Sequence, residues 1–152
     1  MFYRVLKSFT TLTIILYVPV LLLVYAFLGE KCGIIFTESG EALFLITKNE
    51  FFYYFLFSFF LFHVIIYLYK KSSVTKNKDN SKPIFIWLQG MVLAINIFFI
   101  LMTVFIGFAN NAIDYTFESI KFIGYAGPAF IMIWLIAFPV FLLKKKTPEI
   151  QG

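Results

Sequence analysis

Four long stretches of this chain contain no charged residue, and polar or charged segments separate them. The charge-free stretches are residues 9–28, 51–69, 84–108 and 122–143. A helix needs roughly 20 residues, at about 1.5 Å of rise each, to cross a hydrocarbon core about 30 Å thick. An isolated β-strand cannot satisfy its backbone hydrogen bonds in lipid, whereas a helix can. The pattern therefore predicts four transmembrane helices.

The composition excludes an ordinary soluble domain. Apolar residues make up 61% of the chain and charged residues 14%, against about 45–50% and 25% in typical soluble proteins. A soluble bundle of helices that are apolar on every face would have no polar surface to present to water. We expect a single domain over residues 1–152, an all-α integral membrane protein whose four helices form an up-down bundle.

The segments between the spans differ in their content of lysine and arginine. In chain order, the N-terminal segment, the three loops and the C-terminal tail contain 2, 2, 5, 1 and 3 of these residues. Cytoplasmic segments of membrane proteins are enriched in them. The N-terminus, the basic loop 70–82 and the C-terminus are therefore predicted to be cytoplasmic, as in an N-in/C-in protein of the inner (cytoplasmic) membrane.

The net charge of +5 does not indicate nucleic-acid binding, because the basic residues flank the apolar spans. Most of them are Arg4, Lys7, the lysines of loop 70–82 and those of residues 144–146. Basic residues beside a span attract anionic lipid headgroups. The predicted partners are the lipid bilayer and either another membrane protein or further copies of this chain.

Residues 29–50 form the most patterned segment outside the spans. Two β-prone runs, 34–37 and 43–47, enclose the segment Glu38-Ser39-Gly40-Glu41. Two such runs around a glycine-containing turn are typical of a β-hairpin. We expect an outer hairpin that either lies on the membrane surface or packs over the ends of the helices.

The end of this loop carries a signal for the start of a helix. Thr47 and Glu50 have the spacing of a capping box directly before the second span. Three residues of the loop are candidates for contacts with a partner: Glu38, Gly40 and Lys48.

Three polar side chains inside the spans are candidate intramembrane contacts. His63 and Gln89 are each seven residues from a lysine that bounds their span, so both lie about 10 Å from the cytoplasmic edge. A hydrogen bond between them would connect two antiparallel helices; the alternative partner of His63 is a backbone carbonyl. Asn96 lies near the middle of its span, where we expect a bond to another helix or to a partner subunit.

Small residues predict close helix packing. Gly90 and Ala94 are four residues apart on the third span, and Gly124 and Gly127 open the fourth. Small residues at such spacing let two helices approach closely. Internal packing is the favoured interpretation, and a dimer face is the alternative.

The sequence lacks the motifs that carry chemistry in membrane enzymes. It contains no HExxH, CxxC, glycine-rich phosphate loop or GxSxG motif, and its single cysteine is Cys32. The spans contain no Asp, Glu, Lys or Arg, the side chains on which ion-coupled transport depends. We expect a protein that is not an enzyme and that has no cofactor and no metal site.

The outer loop resembles that of the SdpI-type bacterial membrane proteins. The resemblance is carried by Phe36-x-x-x-Gly40, followed by Thr47-Lys48-x-x-Phe51-Phe52, and it extends over roughly residues 21–61. It implies a bacterial cytoplasmic-membrane protein with a role in toxin immunity or signal sensing, and it implies no catalytic residue.

Two functional hypotheses follow, and a membrane enzyme that uses His63 is a weaker third. The first is a non-enzymatic accessory subunit or immunity/sensor-type protein that acts through its helices and its outer loop. The second is a small oligomeric transporter or channel with Asn96, Gln89 and His63 lining the path.

Overall fold

The fold was established from a computed structural model, which describes residues 2–76, 81–111 and 116–144. The chain forms four helices and one two-stranded hairpin. In order, the elements are α1 (Phe2–Phe27), β1 (Lys31–Phe36), β2 (Ala42–Thr47), α2 (Lys48–Lys76), α3 (Ser81–Ala109) and α4 (Phe117–Lys144).

All four helices are long and apolar enough to cross a membrane, so the prediction of four helices of membrane-spanning length is confirmed. The helices are longer than the charge-free stretches that predicted them. The basic segment 70–82, predicted as a loop, is helical as far as Lys76 and again from Ser81. A helix satisfies its own backbone hydrogen bonds, so it need not stop where the apolar residues end.

The α3 helix is the centre of the assembly, because it packs against each of the other three helices. Its approach to α1 and α4 is the closest and longest, whereas α2 touches α1 and α3 only over short regions. Within the described ranges α4 packs against no helix other than α3. Consecutive helices run in opposite directions, as predicted, but they do not close into a ring.

An aromatic cluster holds α1, α2 and α3 together. The ring of Tyr17 is fully buried and stacks on Phe59 with centroids 4.0 Å apart. Phe99 meets Tyr17 edge-on at 5.7 Å, and the Tyr17 hydroxyl donates to the backbone carbonyl of Phe55 at 3.2 Å. Aromatic pairs in these arrangements add roughly 0.5–1.5 kcal/mol to the burial of their area.

Glycines of α3 and α4 form the boundary between those two helices. Gly90 faces the indole of Trp134 so closely that a Cβ atom at Gly90 would lie 2.0 Å from it. Gly127 lies against Phe98 in the same way, at 3.0 Å. The Trp134 indole N–H also donates to the carbonyl of Trp87 at 3.0 Å. The packing role predicted for Gly90 and Gly127 is therefore filled within one chain.

The start of α2 is the capping box that the sequence predicts. The backbone N–H of Glu50 donates to the Thr47 hydroxyl at 3.2 Å, and the N–H of Thr47 donates to the Glu50 carboxylate at 2.8 Å. This reciprocal pair satisfies backbone donors that the first helical turn leaves free. It also fixes the point at which the hairpin passes into the helix.

Candidate functional site at the hairpin

The hairpin covers one end of the helices, here called the hairpin end; the opposite end, which carries Lys7 and Lys70, is called the lysine end. The strands pair in antiparallel fashion from Lys31 opposite Thr47 to Phe36 opposite Ala42. The two strands overlap the predicted β-prone runs 34–37 and 43–47, and β1 starts three residues before the first run. The predicted hairpin is confirmed.

The turn of the hairpin depends on Gly40. Its φ of 87° lies in the left-handed region, which residues with a Cβ rarely adopt. The N–H of Gly40 donates to the carbonyl of Thr37, and the N–H of Thr37 donates to the carbonyl of Glu41. Gly40 also lies against Phe117, the first residue of α4, with so little space that a Cβ would be 2.7 Å from it.

Asn110, directly after α3, anchors the first strand. The backbone N–H of Gly33 donates to Asn110 Oδ1 at 2.7 Å, and Asn110 Nδ2 donates to the Gly33 carbonyl at 2.9 Å. The register between β1 and β2 shifts between Gly33 and Ile35, so a bulge lies next to Gly33, the residue that binds Asn110. Two opposed hydrogen bonds to one residue fix both the position and the tilt of the strand.

Aromatic side chains pack the rest of the hairpin onto the helices. The ring of Phe36 lies 5.7 Å from that of Phe105 on α3 and 5.7 Å from that of Phe117 on α4. The rings of Phe105 and Phe117 are themselves 5.9 Å apart. One strand is thereby joined to two helices. Of the two placements predicted for the hairpin, packing over the helix ends is the one observed for β1.

A cavity of about 450 Å³ opens beside this aromatic cluster, within the roughly 300–1,000 Å³ of ligand pockets. Met102, Phe105 and Phe117 form much of its apolar wall, and Gly124 leaves room for the Phe105 ring. Its polar rim consists of Thr37, Glu38, Glu118 and Lys121. Glu118 and Lys121 form an ion pair, and Glu38 lies across the rim from α4.

The second strand turns apolar side chains outward. Leu43, Phe44 and Leu45 are 67%, 53% and 58% exposed, while only Ile46 of this strand is buried. Ile35 on β1 is exposed as well. Because side chains alternate along a strand, Leu43 and Leu45 project to one side of the hairpin and Phe44, which pairs with Ile35, to the other. We call the exposed surface formed by these four residues the apolar hairpin face.

Lys48 belongs to the base of the hairpin. Its backbone N–H donates to the carbonyl of Glu30 at 3.1 Å, and its ammonium group lies 5.3 Å from the centre of the Tyr25 ring. The Tyr25 hydroxyl donates to Asn49 at 2.8 Å. Tyr25 on α1 thus connects the last turns of that helix to the start of α2.

Cys32 belongs to β1, opposite Ile46, and is fully buried. Burial raises the pKa of its thiol above the ordinary value, because a thiolate is poorly solvated there. It is a free cysteine, and in the part of the chain that the structure describes no group of three potential metal ligands comes together.

The three polar residues predicted inside the spans have separate partners. His63 Nδ1 donates to the carbonyl of Phe59 in its own helix at 2.8 Å, which is the backbone alternative. The expected bond to Gln89 is replaced, because Gln89 Oε1 accepts a bond from Lys70 Nζ at 2.6 Å. The long lysine side chain reaches the buried amide, whereas the short imidazole is held by the turn before it.

Asn96 connects α3 to α1. Its side chain is fully buried, and Nδ2 donates to the Thr13 hydroxyl at 3.0 Å and to the carbonyl of Thr10 at 3.5 Å. The prediction of a bond to another helix is confirmed. Ala94 is buried on the same helix, in keeping with its predicted packing role.

Sequence reasoning missed two residues, Asn110 and Lys70. Asparagine next to the end of a span is a signal for a helix end. The backbone N–H of Asn110 indeed donates to the carbonyl of Ile106 at the end of α3. That signal does not indicate that the side chain binds a strand 77 positions earlier. The sequence marks Lys70 only as the residue that bounds the second span.

The chain matches no protein-family profile, no curated protein and no solved structure.

Proposed function

We propose that this protein is a non-enzymatic, small polytopic protein of the bacterial inner membrane, an accessory subunit or immunity/sensor-type protein. Its helices and its hairpin make contact with a membrane protein partner. The lysine-rich segments are cytoplasmic in this proposal, by the rule that such segments stay inside, and the hairpin end faces outward. The resemblance of residues 21–61 to SdpI-type proteins supports the same assignment.

The observation that carries this proposal is the apolar hairpin face. Exposed apolar residues that lie close together outside the helical spans mark sites of interaction with proteins or membranes. Most of this face lies on β2, whose partner strand β1 is fixed by Asn110 and by Phe36, so the hairpin that carries it is held in place. A surface that is already ordered loses little entropy when a partner binds.

The cavity beside the hairpin supports a protein partner further. Interfaces gain most of their affinity where an aromatic or apolar side chain enters a pocket. The cavity has apolar walls and a rim with Glu38, Glu118 and Lys121, a composition suited to one inserted side chain and a few polar contacts. The apolar hairpin face and the cavity flank Phe36 on β1.

A site-specific photocrosslinker at Phe44 tests the proposal in intact membranes. We expect one discrete adduct of higher mass, whose composition distinguishes another protein from a second copy of this chain. The matched control places the same crosslinker at Ile133, an apolar residue of α4 with a similar exposure of 65%, where lipid adducts are expected. Lipid adducts alone at both positions would contradict the proposal.

The transporter hypothesis has less support. Its three path-lining candidates make bonds at three different places: His63 within α2, Gln89 with Lys70, and Asn96 with α1. The two amides connect helices, the His63 bond lies within one helix, and the three side chains do not converge on one another through these bonds. Flux through liposomes that falls in Asn96→Leu would restore this hypothesis.

A further inference from the structure

Charged side chains are segregated along the helices. At the lysine end, Arg4 and Lys7 lie on α1, and Lys70 and Lys71 lie on α2. In residues 2–76, 81–111 and 116–144, every carboxylate side chain lies at the hairpin end: Glu30, Glu38, Glu41, Glu50 and Glu118. The described part of the lysine end therefore carries positive charge only.

Lys70 is held in a position that differs from that of an ordinary surface lysine. It is half-buried, and its ammonium group donates to the side-chain oxygen of Gln89 on α3 at 2.6 Å. Gln89 is itself only 6% exposed. An ammonium group has three N–H donors, and among the described contacts Gln89 accepts from one of them. The cationic group is thus oriented by a buried amide between two helices.

Lys7 on α1 adds a second positive charge at this place. It lies near enough for its charge to act on Lys70, in addition to the burial of that lysine, and the two ammonium groups repel each other. Two neighbouring ammonium groups, one exposed on Lys7 and one half-buried on Lys70, attract an anion, since an anion between them replaces repulsion with two favourable interactions. Phosphate oxygens are strong acceptors for such donors.

We propose that Lys7, Lys70 and Gln89 form a binding site for the phosphate of an anionic phospholipid headgroup. Lys7 and Lys70 supply the charge, and Gln89 orients Lys70. Basic pockets between transmembrane helices on the cytoplasmic side suit such headgroups. The proposal rests on the membrane placement given under Proposed function, and not on a protein partner.

A lipid fits this site better than free phosphate because apolar surface continues from it along α2. Tyr67, three residues before Lys70 and therefore on the same side of α2, is 64% exposed, and acyl chains attached to the bound headgroup lie along that side of the helix. The bound lipid would then join α2 to α1 and α3, which α2 otherwise touches only over short regions.

Native mass spectrometry of the full chain in mild detergent tests the site. Phosphatidylglycerol is the anionic probe, phosphatidylethanolamine is the zwitterionic one, and inorganic phosphate is the third arm. We expect retained phosphatidylglycerol and about fivefold weaker binding in each of Lys7→Gln and Lys70→Gln, from the roughly 1 kcal/mol that a basic residue contributes. Lys70→Arg keeps the charge and should keep most of the binding.

The matched control is Lys48→Gln, which removes a lysine from the hairpin end and should leave phosphatidylglycerol binding unchanged. Equal retention of phosphatidylethanolamine, or unchanged binding in Lys7→Gln, would overturn the proposal. Displacement of phosphatidylglycerol by millimolar phosphate would assign the site to free phosphate and also overturn it. Should Lys70→Gln fail to fold, Lys7→Gln decides, because Lys7 is exposed. The Phe44 crosslink reports on the partner separately.

Discussion

Asn110 and Gly33 exchange two hydrogen bonds, from the Gly33 N–H to Oδ1 and from Nδ2 to the Gly33 carbonyl. The residues are 77 positions apart, and their pairing connects the end of α3 to the first strand. The bulge beside Gly33 leaves this backbone available to a side chain. The order of the apolar hairpin face depends on this connection.

Replacing Asn110 with alanine should therefore loosen the hairpin. The variant leaves the Gly33 N–H and carbonyl without their partner, and an unsatisfied, partly buried backbone group costs about 1–3 kcal/mol. We expect a lower thermal unfolding temperature in detergent and faster hydrogen exchange across β1. Asn49→Ala is the control, because its bond to Tyr25 is exposed; an equal effect of both variants would contradict the role of Asn110.

Gly90→Ala should destabilise the contact between α3 and α4. The added methyl group would lie 2.0 Å from the Trp134 ring, and overpacking of this kind costs about 1–3 kcal/mol. Gly29→Ala is a suitable control because the only atom near its new Cβ is a carbonyl oxygen at 3.8 Å. Unfolding in detergent measures both. Equal stability of the two variants would show that Trp134 moves aside without cost.

Asn96→Leu should weaken the pairing of α1 and α3 by a modest amount. Hydrogen bonds between transmembrane helices average about 0.6 kcal/mol, and Asn96 loses its bonds to Thr13 and Thr10. A double-mutant cycle with Thr13→Val isolates the bond of 3.0 Å. A coupling energy of zero would mean that Asn96 is held by its burial alone.

Cys32 should react slowly with maleimide reagents. Its side chain is buried, and its raised pKa keeps the thiolate fraction low at neutral pH. Because the thiolate is the nucleophile, the rate should rise with pH and should reach that of a free thiol only at more alkaline pH. Ser39→Cys with Cys32→Ala is the exposed comparison. Asn110→Ala should accelerate the reaction at Cys32, whereas equal rates in all variants would show an open hairpin.

The membrane orientation can be tested with the same chemistry. In a Cys32→Ala background, Ser39→Cys at the turn should react with a membrane-impermeant maleimide added to intact cells. Ser72→Cys at the lysine end, exposed in the fold, should react only after the membrane is permeabilised. The reverse pattern would invert the predicted topology.

The elements of the fold follow closely from local sequence signals. Charge-free length predicts the four helices, Gly40 predicts the turn, and Thr47 with Glu50 predicts the start of α2; all three are observed. These signals act within a few residues of the structure that they determine. That is why a single sequence suffices to find them.

The contacts between elements could not be predicted in the same way. Depth along a helix placed His63 level with Gln89, but depth does not define which way a side chain points. The observed partner of Gln89 is Lys70, which bounds the second span and whose long side chain reaches inward to the amide. Asn110 likewise binds Gly33 because the fold brings them together, and nothing near either residue indicates the other.

The central position of α3 has a consequence for biosynthesis. When α1, the hairpin and α2 have left the ribosome, the helix that contacts all of them is still unmade. Until it inserts, Thr13 lacks Asn96, Tyr17 lacks Phe99, and Gly33 lacks Asn110. The contacts of the first half that involve α3 can form only after that helix is made, whereas the stacking of Tyr17 on Phe59 and its hydrogen bond to Phe55 need only α1 and α2.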